Sequence, residues 1–230
     1  MQLISKTTPP KTGCAVADSR PRRIALAAGI ALALLLAGGP SRAADEPRAM
    51  LSLYAGQGVD ANLPDMPGKW LRGALRYDPS YFAAIGWHAA TDPPSWLAAF
   101  GDALGASQVA TGWEVIGVKH HGLQENGELD LAWLIRVPPA VWGALRMRFG
   151  FGIGASYALG TPRYEDGPRF APARRYRLQQ YNAYELDWSV GDHSAWSVVT
   201  RIHHRSGVFG LVAPPRVGSN FVTLGVRWQY

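Results

Sequence analysis

The final segment of the chain, Asn220 to Tyr230, alternates between apolar and polar side chains. Because successive side chains of a β-strand point to opposite faces, such a segment has one apolar side and one polar side. An apolar side suits lipid and a polar side suits the interior of a closed sheet. The alternation predicts a membrane-spanning strand; the alternative is the edge strand of a soluble β-sandwich. The apolar positions are Val222, Leu224, Val226, Trp228 and Tyr230.

Segments of similar length recur along the chain, rich in Trp and Tyr and separated by Gly, Pro, Asp and Asn. This pattern is typical of transmembrane β-barrels. Since single-chain bacterial barrels have an even number of antiparallel strands, one of the nine candidates is wrong, and we expect the error before residue 109. Either the first candidate does not span, or the 70–90 stretch is divided wrongly. The candidates are Met50 to Gly58, Trp70 to Tyr77, Tyr81 to Ala90, Val109 to His120, Glu128 to Val137, Leu145 to Tyr157, Tyr181 to Val190, Ala195 to Ser206 and Asn220 to Tyr230.

We therefore predict an all-β protein, an eight-stranded antiparallel transmembrane β-barrel of the outer membrane, whose narrow interior is filled by side chains. With both termini in the periplasm, residues 207–219 and 158–180 form outer loops, and residues 191–194 form a tight inner turn. A chain that ends on an aromatic strand also resembles outer-membrane barrels in general, whose assembly machinery reads such a strand. The barrel assembly machinery is therefore an expected partner.

The first forty-three residues have the features of a secretory signal peptide. A basic stretch that includes Arg22 and Arg23 precedes the apolar run Ile24 to Leu36, and the small-residue site Ser41-Arg42-Ala43 follows. The run is shorter than the roughly twenty residues that a spanning helix needs, so a retained anchor is the weaker interpretation. We expect cleavage after Ala43, which leaves residues 44–230 as the barrel domain.

Removal of that segment changes the charge of the protein. The chain has 23 Lys and Arg and 17 Asp and Glu, of which residues 1–43 hold six and one, so 17 and 16 remain. A nearly neutral protein gives no support to nucleic-acid binding. The single cysteine, Cys14, leaves with the segment, which excludes disulfides, cysteine nucleophiles and thiolate metal sites in residues 44–230.

The penultimate candidate strand carries the most informative polar residues. Ile202, His204 and Ser206 share one parity, and Arg201, His203 and Arg205 share the other. The first series continues the apolar positions Trp196 and Val198, so we expect His204 and Ser206 on the lipid side near the outer rim. A histidine and a serine two positions apart lie about 7 Å apart at the backbone, so they can act as base and nucleophile. The alternative is a strand end with polar interfacial residues.

The pattern Arg201-x-x-His204-x-Ser206, followed by a glycine-bearing loop and a last strand that ends in an aromatic residue, resembles the lipid A 3-O-deacylase (PagL) family. The resemblance is specific over residues 196–230 and only architectural before them. It implies an outer-membrane esterase that removes the ester-linked acyl chain at position 3 of lipid A, with Ser206 as nucleophile and His204 as base. Arg201 matches the family's arginine, and we predict that it binds substrate. The resemblance implies no metal and no diffusible cofactor.

Two positions differ from the family. Gly207 stands where the family usually has Asn after the serine, although the Gly207 N–H could still donate to an oxyanion. No carboxylate occurs from Arg201 to Tyr230, so the third member of the triad is missing. Asn220 has the parity of His204 and Ser206 and begins its strand where Ser206 ends the other. We predict that the Asn220 amide accepts the imidazole N–H of His204; the alternative is that Asn220 only caps the hairpin.

Other polar groups have less specific interpretations. Arginines cluster in the long outer loop, where they are either solvated or bind lipopolysaccharide phosphates. Glu185 and Asp187 are expected to fill the barrel interior, and adjacent histidines at 120 and 121 near Glu125 are a poor metal site because they point in opposite directions. The sequence leaves a homodimer open. It also leaves open a non-catalytic structural or adhesive barrel. The loop arginines are Arg163, Arg169, Arg174, Arg175 and Arg177, of which the last three are predicted to bind substrate.

Overall fold

A computed structural model of the protein describes residues 47–106, 108–165, 176–191, 194–214 and 217–230. The predicted signal peptide and the loop residues Arg174 and Arg175 lie outside the described residues. Nine strands and two α-helices are present in the described ranges. They are β1 (Ala49–Val59), α1 (Met66–Leu71), β2 (Tyr77–Thr91), α2 (Ser95–Ala103), β3 (Ala110–Gly122), β4 (Gly127–Arg136), β5 (Ala140–Trp142), β6 (Leu145–Leu159), β7 (Leu178–Val190), β8 (Trp196–Ser206) and β9 (Gly218–Gln229).

Eight of these strands form a closed antiparallel barrel. Each long strand pairs with its neighbours in the chain, β1 pairs with β9, and β4 pairs with β6 across the short β5. The three-residue β5 pairs only with β6 and does not span. Closure lets every long strand hydrogen-bond on both edges, which is what a sheet needs in hydrocarbon, where no water satisfies free N–H and C=O groups. The eight-stranded prediction is confirmed.

The predicted strand from Trp70 to Tyr77 is wrong. The chain there forms α1 and then a turn in which Gly73 has a φ of +62°, and β2 begins only at Tyr77. Pro67 near the start of α1 and glycine just after its end are common helix boundary signals, and they outweigh the short aromatic pattern. The first candidate, by contrast, is the spanning strand β1. The error therefore lay in the division of the 70–90 stretch.

The barrel interior is filled by paired charged side chains. Arg201 donates to Glu185 at 2.6 Å and to Glu114 at 2.9 Å, and Arg136 donates to Asp187 at 2.7 Å. Each of these residues is at most 4% exposed, so each charge has an opposite partner in place of water. The prediction that Glu185 and Asp187 fill the interior is confirmed, and the described strands enclose a packed core instead of an open pore.

The outer wall is apolar and ends in an aromatic girdle at the end of the barrel where β1 begins and β9 ends, here called the basal end. Outward side chains such as Leu53, Ile85 and Leu224 are more than half exposed in the isolated protein. The indole N–H of Trp87 donates to the Tyr230 hydroxyl at 3.3 Å, and Trp196 stacks on Trp228. Amphipathic aromatic rings at one level are typical of a membrane interface.

Among the residues that the structure describes, no helix is both long enough and apolar enough to cross a membrane.

Candidate active site

Strand β8 separates its side chains between the two sides of the barrel wall, as the alternation predicts. Arg201, His203 and Arg205 are at most 3% exposed and lie in the interior, whereas His204 and Ser206 are half-buried on the outer wall. The interior position contradicts the predicted role of Arg201 in substrate binding. Its guanidinium is held by Glu185 and Glu114, so it cannot contact a lipid on the other side of the wall.

His204 and Asn220 are direct partners across β8 and β9. The distance from His204 Nδ1 to Asn220 Oδ1 is 2.6 Å, and Asn220 Nδ2 donates to the Ala61 carbonyl oxygen at 2.7 Å. The second bond fixes the orientation of the amide, because only the NH2 group can face a carbonyl oxygen. Asn220 therefore presents its oxygen to the ring, Nδ1 carries the proton, and Nε2 keeps a free lone pair. The predicted contact is present.

Ser206 lies on the same outer face as His204 but does not bind it. The Ser206 hydroxyl lies 3.4 Å from Gln180 Oε1 and accepts the Val208 N–H at 3.4 Å. No hydrogen bond between Ser206 and His204 occurs in the described part of the chain. Both bonds of the hydroxyl are long, and catalytic contacts in enzymes without substrate are often loose. Sequence reasoning missed Gln180, which requires the β7 to β8 register that pairs it with Ser206.

The Gly207 N–H is not free to stabilise an oxyanion as predicted. It donates to the Val217 carbonyl oxygen at 3.3 Å and so continues the ladder between β8 and β9. A Cβ atom on residue 207 would lie 2.2 Å from the Ala213 carbonyl oxygen, so the loop that folds back over this position leaves room only for glycine. This packing explains why no asparagine side chain follows the serine here.

The next two residues offer other main-chain donors. Val208 and Phe209 have φ values of +51° and +54°, a left-handed conformation that non-glycine residues rarely adopt. A right-handed residue followed by a left-handed one turns successive N–H groups toward a common point and can bind an anion. Gly207, with a φ of −81°, and Val208 form such a pair, and the Val208 N–H already points at Ser206 Oγ. Valine and phenylalanine carry no sequence signal for this conformation.

The level of the site along the barrel follows from strand geometry. His204 is eight positions beyond the girdle residue Trp196 on β8. At a rise of about 3.3 Å per residue and a tilt of about 40°, His204 lies about 20 Å above the girdle along the barrel axis, and Ser206 about 25 Å above it. The apolar band of such barrels is about 25 Å tall. His204 and Ser206 therefore lie near the end of the apolar band that is farthest from the girdle.

Arg177 is the one predicted substrate-binding arginine of the long loop that the structure describes. It is exposed and immediately precedes β7, at the same end of the barrel as Ser206. Its carbonyl oxygen accepts a bond from Arg205 at 3.0 Å, which ties the loop end to the interior network. Its role in substrate binding stays a prediction.

A group of potential metal ligands lies inside the barrel and not at this site. Glu128, Asp130 and His203 bring ligand atoms within 4.8 Å of one another. The Arg205 guanidinium lies 3.1 Å from the Glu128 carboxylate, so this carboxylate is already paired with a fixed positive charge. His120 points inward to Glu128 at 3.0 Å, whereas His121 stacks on Tyr81 on the outer wall. The adjacent histidines therefore point in opposite directions, and neither joins His204.

The closed eight-stranded sheet with a charged interior and an apolar wall is the fold of small outer-membrane β-barrels. The chain is similar to the crystal structure of the outer membrane enzyme PagL, with a TM-score of 0.51 and 12% identity over 78% of this chain and 99% of that one. It also matches the structure of Ail, the attachment invasion locus protein of Yersinia pestis, with a TM-score of 0.24 and 10% identity over 80% of this chain and 99% of that one. The second match is too distant to carry an argument, and the first shows the fold alone. No protein-family model matches the chain, and neither does any curated protein.

Proposed function

We propose that the protein is an outer-membrane esterase that removes an ester-linked acyl chain, at the 3-O position, from lipid A. The observation that carries the proposal is the His204 to Asn220 hydrogen bond of 2.6 Å on the lipid-facing wall, beside the outward Ser206. This bond leaves Nε2 free as a base, and the site lies at the level where acyl esters meet their headgroups.

The reaction follows from the positions of these groups. A rotation of the Ser206 side chain brings its hydroxyl to His204 Nε2, which takes the proton as Oγ attacks the ester carbonyl carbon. The Val208 N–H stabilises the oxyanion. The bond from the carbonyl carbon to the sugar oxygen then breaks, and His204 returns its proton to that oxygen. Water attacks the acyl-serine with His204 as base again, which releases the fatty acid and restores Ser206. No step uses a metal or a diffusible cofactor.

The cellular setting is part of the same proposal. Residues 1–43 direct export and are removed, the barrel assembly machinery inserts the chain, and the end that carries Ser206 faces the cell exterior. Lipopolysaccharide occupies the outer leaflet, so substrate reaches the wall by lateral diffusion. Arg174, Arg175 and Arg177 engage the lipid A phosphates, for which guanidinium groups are well suited. The proposal does not require a homodimer.

The test is mass spectrometry of lipid A from cells that express the parent, Ser206→Ala, His204→Ala or His121→Ala. The last variant removes a histidine that lies on the outer wall of the same barrel and stacks on Tyr81. Loss of one hydroxyacyl unit in the parent and in His121→Ala, but not in the other two, supports the esterase. Identical lipid A with and without the folded parent would reject the activity.

A non-catalytic structural barrel is the second candidate, and one observation favours it. The Ser206 hydroxyl binds Gln180 and not His204, so the two proposed catalytic groups are not joined before substrate arrives. In that case the outward polar residues form only an interfacial rim. Unchanged lipid A in membranes where a known deacylase is active would support this candidate.

A further inference from the structure

Helix α2 lies in the basal connection between β2 and β3 and exposes an apolar stripe. Trp96, Phe100 and Leu104 follow one another at intervals of four residues and are 62%, 60% and 64% exposed. Residues four apart in a helix lie on the same side, so these side chains form one continuous row. Isolated exposed apolar residues are ordinary, but three large ones in a row mark an interaction surface.

The other sides of α2 have different partners. Leu97 and Gly101 are buried toward the protein, where a Cβ on Gly101 would lie 2.9 Å from both the Ala106 carbonyl oxygen and Val109. Ser95 and Asp102 lie on the side opposite the stripe and are exposed. The helix therefore has an inner face against the chain, a polar face, and an apolar face without a partner among the described residues.

The strands on either side of α2 carry part of the aromatic girdle. Helix α2 begins four residues after the end of β2 and is followed by β3. These two strands carry Trp87 and Trp113 of the aromatic girdle on their outer faces, both 48% exposed. From Asp92 to Val109 the only charged residues are Asp92 and Asp102, and no basic residue is present. An apolar row with so little charge, in the connection between two girdle strands, suits a lipid leaflet better than a charged protein partner.

We propose that α2 lies in the plane of the periplasmic leaflet, with Trp96, Phe100 and Leu104 among the phospholipid acyl chains and Ser95 and Asp102 in water. The helix then acts as an interfacial anchor for the basal end of the barrel. The proposal rests on the membrane placement of the barrel and not on the esterase activity. It gives a physical reason for a basal connection that is long where short turns are usual.

The test uses the absence of cysteine from residues 44–230. Single variants Trp96→Cys, Phe100→Cys and Leu104→Cys are labelled with bimane and refolded into dioleoylphosphatidylcholine vesicles with or without brominated acyl chains. Asp102→Cys is the matched control on the polar face, and Leu224→Cys is the control on the barrel wall. An interfacial helix lies about 5–10 Å into the headgroup and acyl boundary, so the three labels should lose roughly half of their fluorescence or more to bromine. Asp102→Cys should instead be quenched by aqueous iodide.

The controls separate the ways in which the proposal can fail. If bromine quenches the label at Leu224→Cys but not the labels at the three stripe positions, and iodide quenches the stripe labels, the helix lies in water. That result would overturn the proposal. Protection of the stripe from both quenchers would also overturn it, in favour of a second copy or another protein. Absence of bromine quenching at Leu224 would reject the membrane placement itself.

Discussion

In the proposed site Asn220 takes the place of the carboxylate that a serine–histidine site usually has, so its removal is the sharpest test of that site. Its oxygen lies 2.6 Å from His204 Nδ1. The bond strengthens when His204 becomes positively charged during acyl transfer, and a hydrogen bond to a charged group contributes about 1.5–3 kcal/mol. Since about 1.4 kcal/mol corresponds to a tenfold change in rate, Asn220→Ala should lower kcat about 10- to 150-fold. KM should change little, because the loss falls mainly on the transition state.

Asn220→Asp separates the two bonds of this residue. A carboxylate stabilises the imidazolium more than an amide does, so kcat should be retained or rise. The same carboxylate places an acceptor where the NH2 group donates to the Ala61 carbonyl oxygen at 2.7 Å, so two acceptors repel and the thermal stability should fall. Separate changes in kcat and in stability would distinguish a positioning role from a hairpin cap.

The assay is release of fatty acid from purified lipid A by folded barrel in detergent, with folding checked by gel mobility. Asn182→Ala is the control. Asn182 on β7 pairs with His204 across the sheet, but its side chain donates to the Gly152 carbonyl oxygen at 3.4 Å. Its kcat should equal that of the parent. If Asn220→Ala also has the parental kcat while it is folded, the positioning role of Asn220 is wrong.

Three further predictions concern the barrel and its loops. The protein should be heat-modifiable, with different gel mobility before and after boiling, because its apolar wall needs a closed sheet in lipid; a water-soluble product with one mobility would refute the membrane assignment. Replacement of Arg174, Arg175 and Arg177 by Gln should weaken turnover without unfolding the barrel, whereas equal activity of the parent on phosphorylated and dephosphorylated lipid A would count against phosphate binding. Gly207→Ala should cost about 1–3 kcal/mol of stability, measured by thermal unfolding, because its Cβ would meet the Ala213 carbonyl oxygen at 2.2 Å. Gly68→Ala is its control, since nothing lies closer than 3.6 Å there, and equal losses in the two variants would contradict the steric explanation.

The faces of the strands could be predicted from the sequence because they depend on a local rule. Successive side chains of a strand alternate, so the apolar positions of β8 and β9 suffice to place His204, Ser206 and Asn220 on the outer wall. The short distance between His204 and Asn220 was also predictable, because a hairpin brings the end of one strand beside the start of the next. The count of nine candidates erred at Trp70 to Tyr77, since a short helix and a short strand have similar aromatic content.

The remaining properties of the site depend on contacts that no local pattern encodes. The binding of Arg201 to Glu114 and Glu185 requires strands from distant parts of the chain to surround it. The β7 to β8 register decides that Ser206 faces Gln180. The conformation of Gly207 and Val208 decides that Val217 accepts the Gly207 N–H and that the Val208 N–H points at the serine. Alternation determines the side of the wall on which a residue lies, because it acts between neighbours in the chain. The hydrogen-bond partners are decided only by tertiary structure, because register and loop conformation bring together groups that are far apart in the sequence.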